Sequence, residues 1–214
     1  MASLGDIAIV GYGADAGVKS FAFVLLADLS GETITFTDNG WRAAGGFRTG
    51  EGTVSYTVPA GTPIGTVVTI SGLTGSFNPS TTGDSIIAYV GDAANPTFLF
   101  AVDFADANAA YAGDATNTNT SAVPTGLTFG TDALAFAEDN AAYSGPLEGS
   151  RAEILAAIAD ETNWTVNDAA GVAYPASFAV KTGAAGQFSV ADVLVDEGND
   201  GVTEMVFTVE RIGG

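Results

Sequence analysis

Residues 6–26 read DIAIVGYGADAGVKSFAFVLL, and two folds compete for them. In a dinucleotide-binding βαβ unit, the apolar strand Ile7–Val10 would lead into the glycine turn Gly11-Tyr12-Gly13-Ala14-Asp15-Ala16. Its glycines would let a pyrophosphate approach a helix N-terminus, and Asp38, at the end of a later strand-like run, would reach the ribose. That reading needs a helix from about Gly17 to Leu29. The stretch Phe21-Ala22-Phe23-Val24-Leu25-Leu26 is instead apolar on every side and rich in aromatics, as suits a buried strand. No series of further helical patterns follows to cover a parallel sheet. The expectation is therefore strand, glycine-rich hairpin loop, strand.

The same reading extends outward from this pair. Short runs rich in Val, Ile, Phe, Thr and Tyr, each bounded by turn residues, predict strands at 6–10, 20–26, 33–37, 52–58, 66–71, 85–90, 97–104 and 134–137. Thr53–Val58 alternates as a half-exposed antiparallel strand does, whereas Phe98–Phe104 is apolar nearly throughout. One segment breaks the pattern. Within Ser150–Thr162, Ile154, Leu155 and Ile158 share a helical face, with Ser150 placed as N-cap and Glu153 as its capping-box partner. Ala107–Pro124 reads as a long polar loop. The predicted fold class is mainly β, an antiparallel β-sandwich with one short helix.

Composition sets bounds on function. Acidic residues number 25 against 6 basic ones, a net charge of -19. Such a field repels nucleic acid and anionic membranes and attracts divalent cations. Yet charged residues are only 14% and hydrophobic ones 47% of the chain, which is the composition of a packed domain and not of an acidic tail. Cysteine and histidine are absent, which excludes a Ser-His-Asp triad, a cysteine nucleophile and ordinary zinc sites. No segment approaches the roughly 20 apolar residues that span a bilayer, so no membrane insertion is expected. Trp41 and Trp164 are the residues best able to stack on sugars, but are more readily read as anchors of a sandwich core.

Several motifs in order, GDIAIVGYGAD, FAFVLLADL, ITFTDNGW (Ile34–Trp41), EGTVSYTVPAGT (Glu51–Thr62), GDSIIAYVGD (Gly83–Asp92) and SRAEILAAI before NWT (Asn163–Thr165), resemble the N-terminal β-domain of large secreted modular bacterial proteins. The pattern is also loosely similar to the immunoglobulin-like lamin-tail domain. The resemblance implies a sandwich that precedes other extracellular modules, and it carries over no catalytic residue.

The last stretch, FSVADVLVDEGNDGVTEMVFTVERIGG (Phe188–Gly214), places two strand-like runs around an acidic turn. It resembles the opening hairpin of a Calx-beta domain, in which an E-G-N-x-G turn supplies calcium ligands. The resemblance implies Asp196, Glu197, Asn199 and Asp200 as calcium ligands. An EF-hand is excluded, because a loop starting at Asp196 would place Phe207 where the bidentate glutamate belongs. Asp103 and Asp106 form a weaker candidate calcium pair near a strand end.

These readings predict a sandwich at 1–181, a linker at 182–187 and a partial Calx-beta-like hairpin at 188–214. They also predict a non-catalytic structural or adhesive module, extracellular or at the cell surface, associated with Ca²⁺ and binding no nucleic acid. The apolar hairpin face suggests a homo-oligomer formed by strand addition. The alternatives are an accessory module of a secreted nuclease or phosphatase, and the dinucleotide-binding enzyme domain.

Overall fold

A computed structural model describes residues 1–15, 17–105, 110–181, 187–190, 201 and 206–212. Two compact units divide the chain, Met1–Val180 and Lys181–Gly214.

The opening stretch forms β1 (Ile7–Gly13) and β2 (Ser20–Leu25), paired antiparallel. A βαβ unit would need a helix between two parallel strands, so the dinucleotide geometry is not formed. Gly11 serves packing instead. Ile9 lies opposite Phe23 and Gly11 opposite Ala22, which leaves Val10 as the extra residue of a bulge. The bulge shifts the alternation by one, so Tyr12 comes opposite Phe21 on the face where Ile9 meets Phe23. Gly11 then faces the other way, where a Cβ would come within 2.3 Å of the Tyr174 ring.

The first unit continues with β3 (Thr33–Thr37), β4 (Thr53–Thr57), β5 (Val67–Ser71), β6 (Asp84–Asp92), β7 (Asn95–Phe104), β8 (Ala133–Phe136), β9 (Asn140–Tyr143), β10 (Glu148–Gly149), α1 (Arg151–Ala159), β11 (Trp164–Asn167) and β12 (Ala179–Val180). Two five-stranded sheets result, ordered β11-β9-β1-β2-β5 and β4-β3-β6-β7-β8. Pairing is antiparallel except for β7 with β8 and the small β10–β12 pair. Aromatic rings join the sheets. Phe36 of β3 lies 4.7 Å from both Phe21 and Phe23 of β2, and Tyr12 of β1 stacks on Phe104 of β7 at 4.3 Å.

The outer faces are covered as well. Ser150 accepts from the Glu153 N–H and Glu153 Oε2 accepts from the Ser150 N–H, so α1 starts with a full capping box. Ile154 and Ile158, one turn apart, are buried in the main core with residues of the first sheet. Trp164 donates its indole N–H to the Ile158 carbonyl at 2.8 Å, satisfying a free carbonyl at the helix end. On the second sheet, Trp41, Ile87, Tyr89, Phe98 and Leu127 form a smaller apolar cluster. Both tryptophans are therefore core anchors.

In the second unit, β13 (Gln187–Val190) pairs antiparallel with β14 (Val209–Ile212). No described helix is long and apolar enough to cross a membrane.

Candidate metal centre

Asp38 follows β3, Glu51 precedes β4 and Asp84 opens β6. Because β3 runs antiparallel to both neighbours, the end of β3 and the starts of β4 and β6 fall at one end of the second sheet. Topology alone thus brings together three acids that are far apart in sequence. One oxygen from each lies within 4.8 Å of the others.

Backbone amides fix two of the three. Asp38 accepts from the Gly52 N–H at 2.7 Å and the Asn78 N–H at 2.8 Å. Asp84 accepts from the Ser80 and Ser85 N–H groups, each at 2.8 Å. The 76–80 segment is thereby stitched over the sheet end. It sits so close that a Cβ on Gly52 would come within 2.3 Å of the Phe77 nitrogen. Asn39 adds a third support. Its Oδ1 accepts from the Glu51 N–H at 3.1 Å, while its Nδ2 donates to the Thr37 hydroxyl at 2.9 Å and the Gly52 carbonyl at 3.2 Å.

Glu51 is held differently. Its Oε2 is buried and accepts no hydrogen bond, and the nearest cation, Arg48 Nη1, is 3.9 Å away. Asp84 is 2% exposed and Asp38 equally buried. Three carboxylates against one arginine leave a local excess of negative charge in poorly solvated surroundings. Burial pushes the Asp84 carboxyl up to about 9, with the charges of Asp38 and Glu51 adding to it and two backbone donors opposing. Burial, with the charge of Asp38 adding to it and Arg48 opposing, raises Glu51 to about 7. Asp38 is raised by burial against its own backbone donors. The cluster therefore favours a proton or a cation in its midst. All three ligands are carboxylate oxygens, the hard donors that calcium takes at 2.3–2.6 Å, and oxygens on opposite sides of such an ion are about 4.8 Å apart.

Searches against protein families, curated proteins and solved structures return no match.

Of the acids expected from the sequence to bind calcium, only Asp103 is among the described residues. Asp103 is in β7, 2% exposed and opposite Ser85 and Ala135, and it is not in the three-acid cluster. It is a buried residue and not the solvated strand end its neighbourhood suggests. Asp106, Asp196, Glu197, Asn199 and Asp200 lie outside the described residues. Of the clustered acids, only Asp38 stands out in the sequence, and there as the ribose-binding acid of a dinucleotide site. The signal for the other two is an acid beside glycine at a predicted strand boundary, Glu51-Gly52 and Gly83-Asp84. Such acids are common, and only the pairing order shows which of them meet.

Proposed function

We propose that this chain is a non-catalytic contact module of an extracellular protein, in which Asp38, Glu51 and Asp84 hold a calcium ion. The observation that carries this reading is the convergence of three carboxylates, one of them with a buried oxygen that accepts no hydrogen bond. Calcium would tie the ends of β3, β4 and β6 to the segment folded over them. That is a structural role, suited to the millimolar calcium outside cells and to a net charge of -19. The resemblance to N-terminal domains of secreted modular proteins supports the extracellular setting. The acidic turn of the tail, Asp196, Glu197, Asn199 and Asp200, is a second calcium candidate, and strand addition by the tail hairpin is the route proposed for self-association.

Thermal melts of the full chain test the calcium site. At pH 8, millimolar Ca²⁺ should raise the melting temperature by several degrees over chelator, and Mg²⁺ should do so less. A ligand at a hundred times its Kd contributes about 2.7 kcal/mol by linkage. Glu51→Gln should abolish the shift, since it removes the charge at an Oε2 that accepts no hydrogen bond. Superimposable melts in Ca²⁺ and chelator would remove calcium from the account. A shift that survives Glu51→Gln but is lost in Glu197→Ala/Asp200→Ala would move it to the tail.

A further inference from the structure

The core is closed at one margin of the sandwich and left open at the other. β11 and β8 end their sheets on the closed side, where the Trp164 ring of β11 lies 4.8 Å from the Phe136 ring of β8, both of them buried. On the other side the last strands are β5 and β4. There Val54 and Tyr56 of β4 and Val68 and Ile70 of β5 pack against the core but are only half-buried, whereas Ile34 and Phe36, one strand further in, are fully buried. Between the two strands lies a cleft of about 230 Å³, lined by Val54, Ile70, Leu73 and Phe77 among others. The backbone of β4 is free on this side as well. The Val58 N–H donates to the Glu32 carbonyl and the Gly52 carbonyl accepts from the Thr37 hydroxyl, both toward β3. By alternation, the N–H and C=O groups of Thr53, Ser55 and Thr57 point to the open side, where no described strand pairs with β4. β5 is partly taken, through the Thr66–Ser177 bridge. β4 has none of the usual guards of an edge, neither lysine, proline, inward charge nor bulge.

We infer that β4 receives residues 206–209 of a second copy of this chain as an added strand, with Phe207 entering the cleft. The inference rests on the reading of the tail as the agent of self-association, and it names where the tail binds. The margin itself specifies its occupant. A row of unpaired amides and carbonyls is matched by an extended backbone, and the cleft beside it by a strand whose every second side chain is apolar. The tail offers both. Residues 206–208 run ahead of β14 and pair with no described strand, and Val206, Phe207 and Val209 are exposed. Along an extended segment Phe207 and Val209 point one way and Thr208 the other. β4 has the same parity, with Val54 and Tyr56 toward the core and Thr53, Ser55 and Thr57 exposed. Added beside it, Phe207 and Val209 continue the apolar face and Thr208 the hydroxyl face. Charge permits the approach. Residues 53–58 and 205–209 carry no charge in a chain of net charge -19, so two copies meet here without setting carboxylate against carboxylate. Because each copy carries both donor and receiver, a reciprocal exchange makes the contact twice in one two-fold dimer.

Sedimentation velocity of the full chain tests this at physiological ionic strength, where exposed charges more than roughly 8 Å apart are screened. The parent should run as an oligomer. Ser55→Pro removes an outward amide from an edge strand, a place where proline is tolerated, and Phe207→Asp puts a charge where the apolar side chain enters. Each should weaken association about tenfold or more, and each should still melt cooperatively by circular dichroism. Mixed one to one, the two variants should associate again, more weakly, because the first still donates an intact tail and the second still receives on an intact β4. Should Ser55→Pro fail to fold, Thr53→Pro, at the first residue of the strand, takes its place. A monomeric parent overturns the proposal together with the tail reading, as does an oligomer that Phe207→Asp leaves intact. Association lost in Phe207→Asp but kept in the proline variant overturns the β4 site and leaves the tail reading standing. Variants that stay monomeric when mixed also overturn it. The calcium-dependent melting shift is a separate readout, so the metal reading stands or falls apart from these results.

Discussion

At the scale of single residues, the molecule depends on close approaches that one atom would spoil. Gly11 lies against the Tyr174 ring, whose hydroxyl is in hydrogen-bond contact with the Ser20 hydroxyl. Gly11→Ala should destabilise the fold by about 1–3 kcal/mol, the usual range for overpacking, and Tyr174→Ala in the same chain should recover part of the loss in urea melts. Phe36 bridges β3 to two rings of β2. Phe36→Ala should cost about 3–5 kcal/mol through the cavity it leaves. Glu51 and Asp84 give a pH signature. A carboxyl raised above its unfolded value stabilises the fold in its protonated form. That contribution is complete below the unfolded value of about 4, and it is lost as pH rises through about 7 for Glu51 and about 9 for Asp84. In chelator, the melting temperature should therefore decline between pH 5 and pH 9. Calcium should oppose that decline most at the alkaline end, where it has no protons to displace. A flat profile in chelator, the same in Glu51→Gln, would show that the cluster carries no such linkage.

At the scale of elements, local signals and long-range ones part company. The helix is legible because its cues are near neighbours: Ser150, Glu153, Ile154 and Ile158 all act within three turns. Ser150→Ala should lower stability by about 1 kcal/mol, measurable by denaturant titration. The β1–β2 hairpin is legible for the same reason, since a run apolar on every side cannot form one face of a helix. The eight predicted strands correspond to β1–β8, with ends displaced by at most three residues. What escapes the sequence is short: β9 is Asn-Ala-Ala-Tyr, β10 has two residues, and β11 follows directly on a 3₁₀ turn. Asn-Ala-Ala has almost no strand propensity, and it becomes a strand because β1 and β11 flank it. The parallel pairing of β8 on β7 is likewise absent from any local pattern. The candidate metal centre shares this fate. Each acid is ordinary where it stands, and sheet order alone joins them.

For the whole molecule, charge and exposed edges set the behaviour. Val190, Phe207 and Val209 of the tail are exposed, and a two-stranded ribbon has two unpaired margins. If the tail joins a second copy by strand addition, light scattering should find an oligomer that removal of Phe188–Gly214 returns to monomer. A monomeric parent would end that proposal, and an oligomeric deletion variant would place the contact in the first unit.

The position of β1 sets an order of events for the growing chain. One side of β1 is met early by β2, but Gly11, Tyr12 and Gly13 pair on the other side with Ala142, Ala141 and Asn140. During synthesis that edge must wait, uncovered, while the whole second sheet is made. A nascent chain halted before Asn140 should display it, and should be captured by chaperones or by its own kind far more readily than one released a few residues beyond Asn167. Refolding of the full domain, which must close the same long span, should run in milliseconds to seconds, as is usual for sandwiches of high contact order.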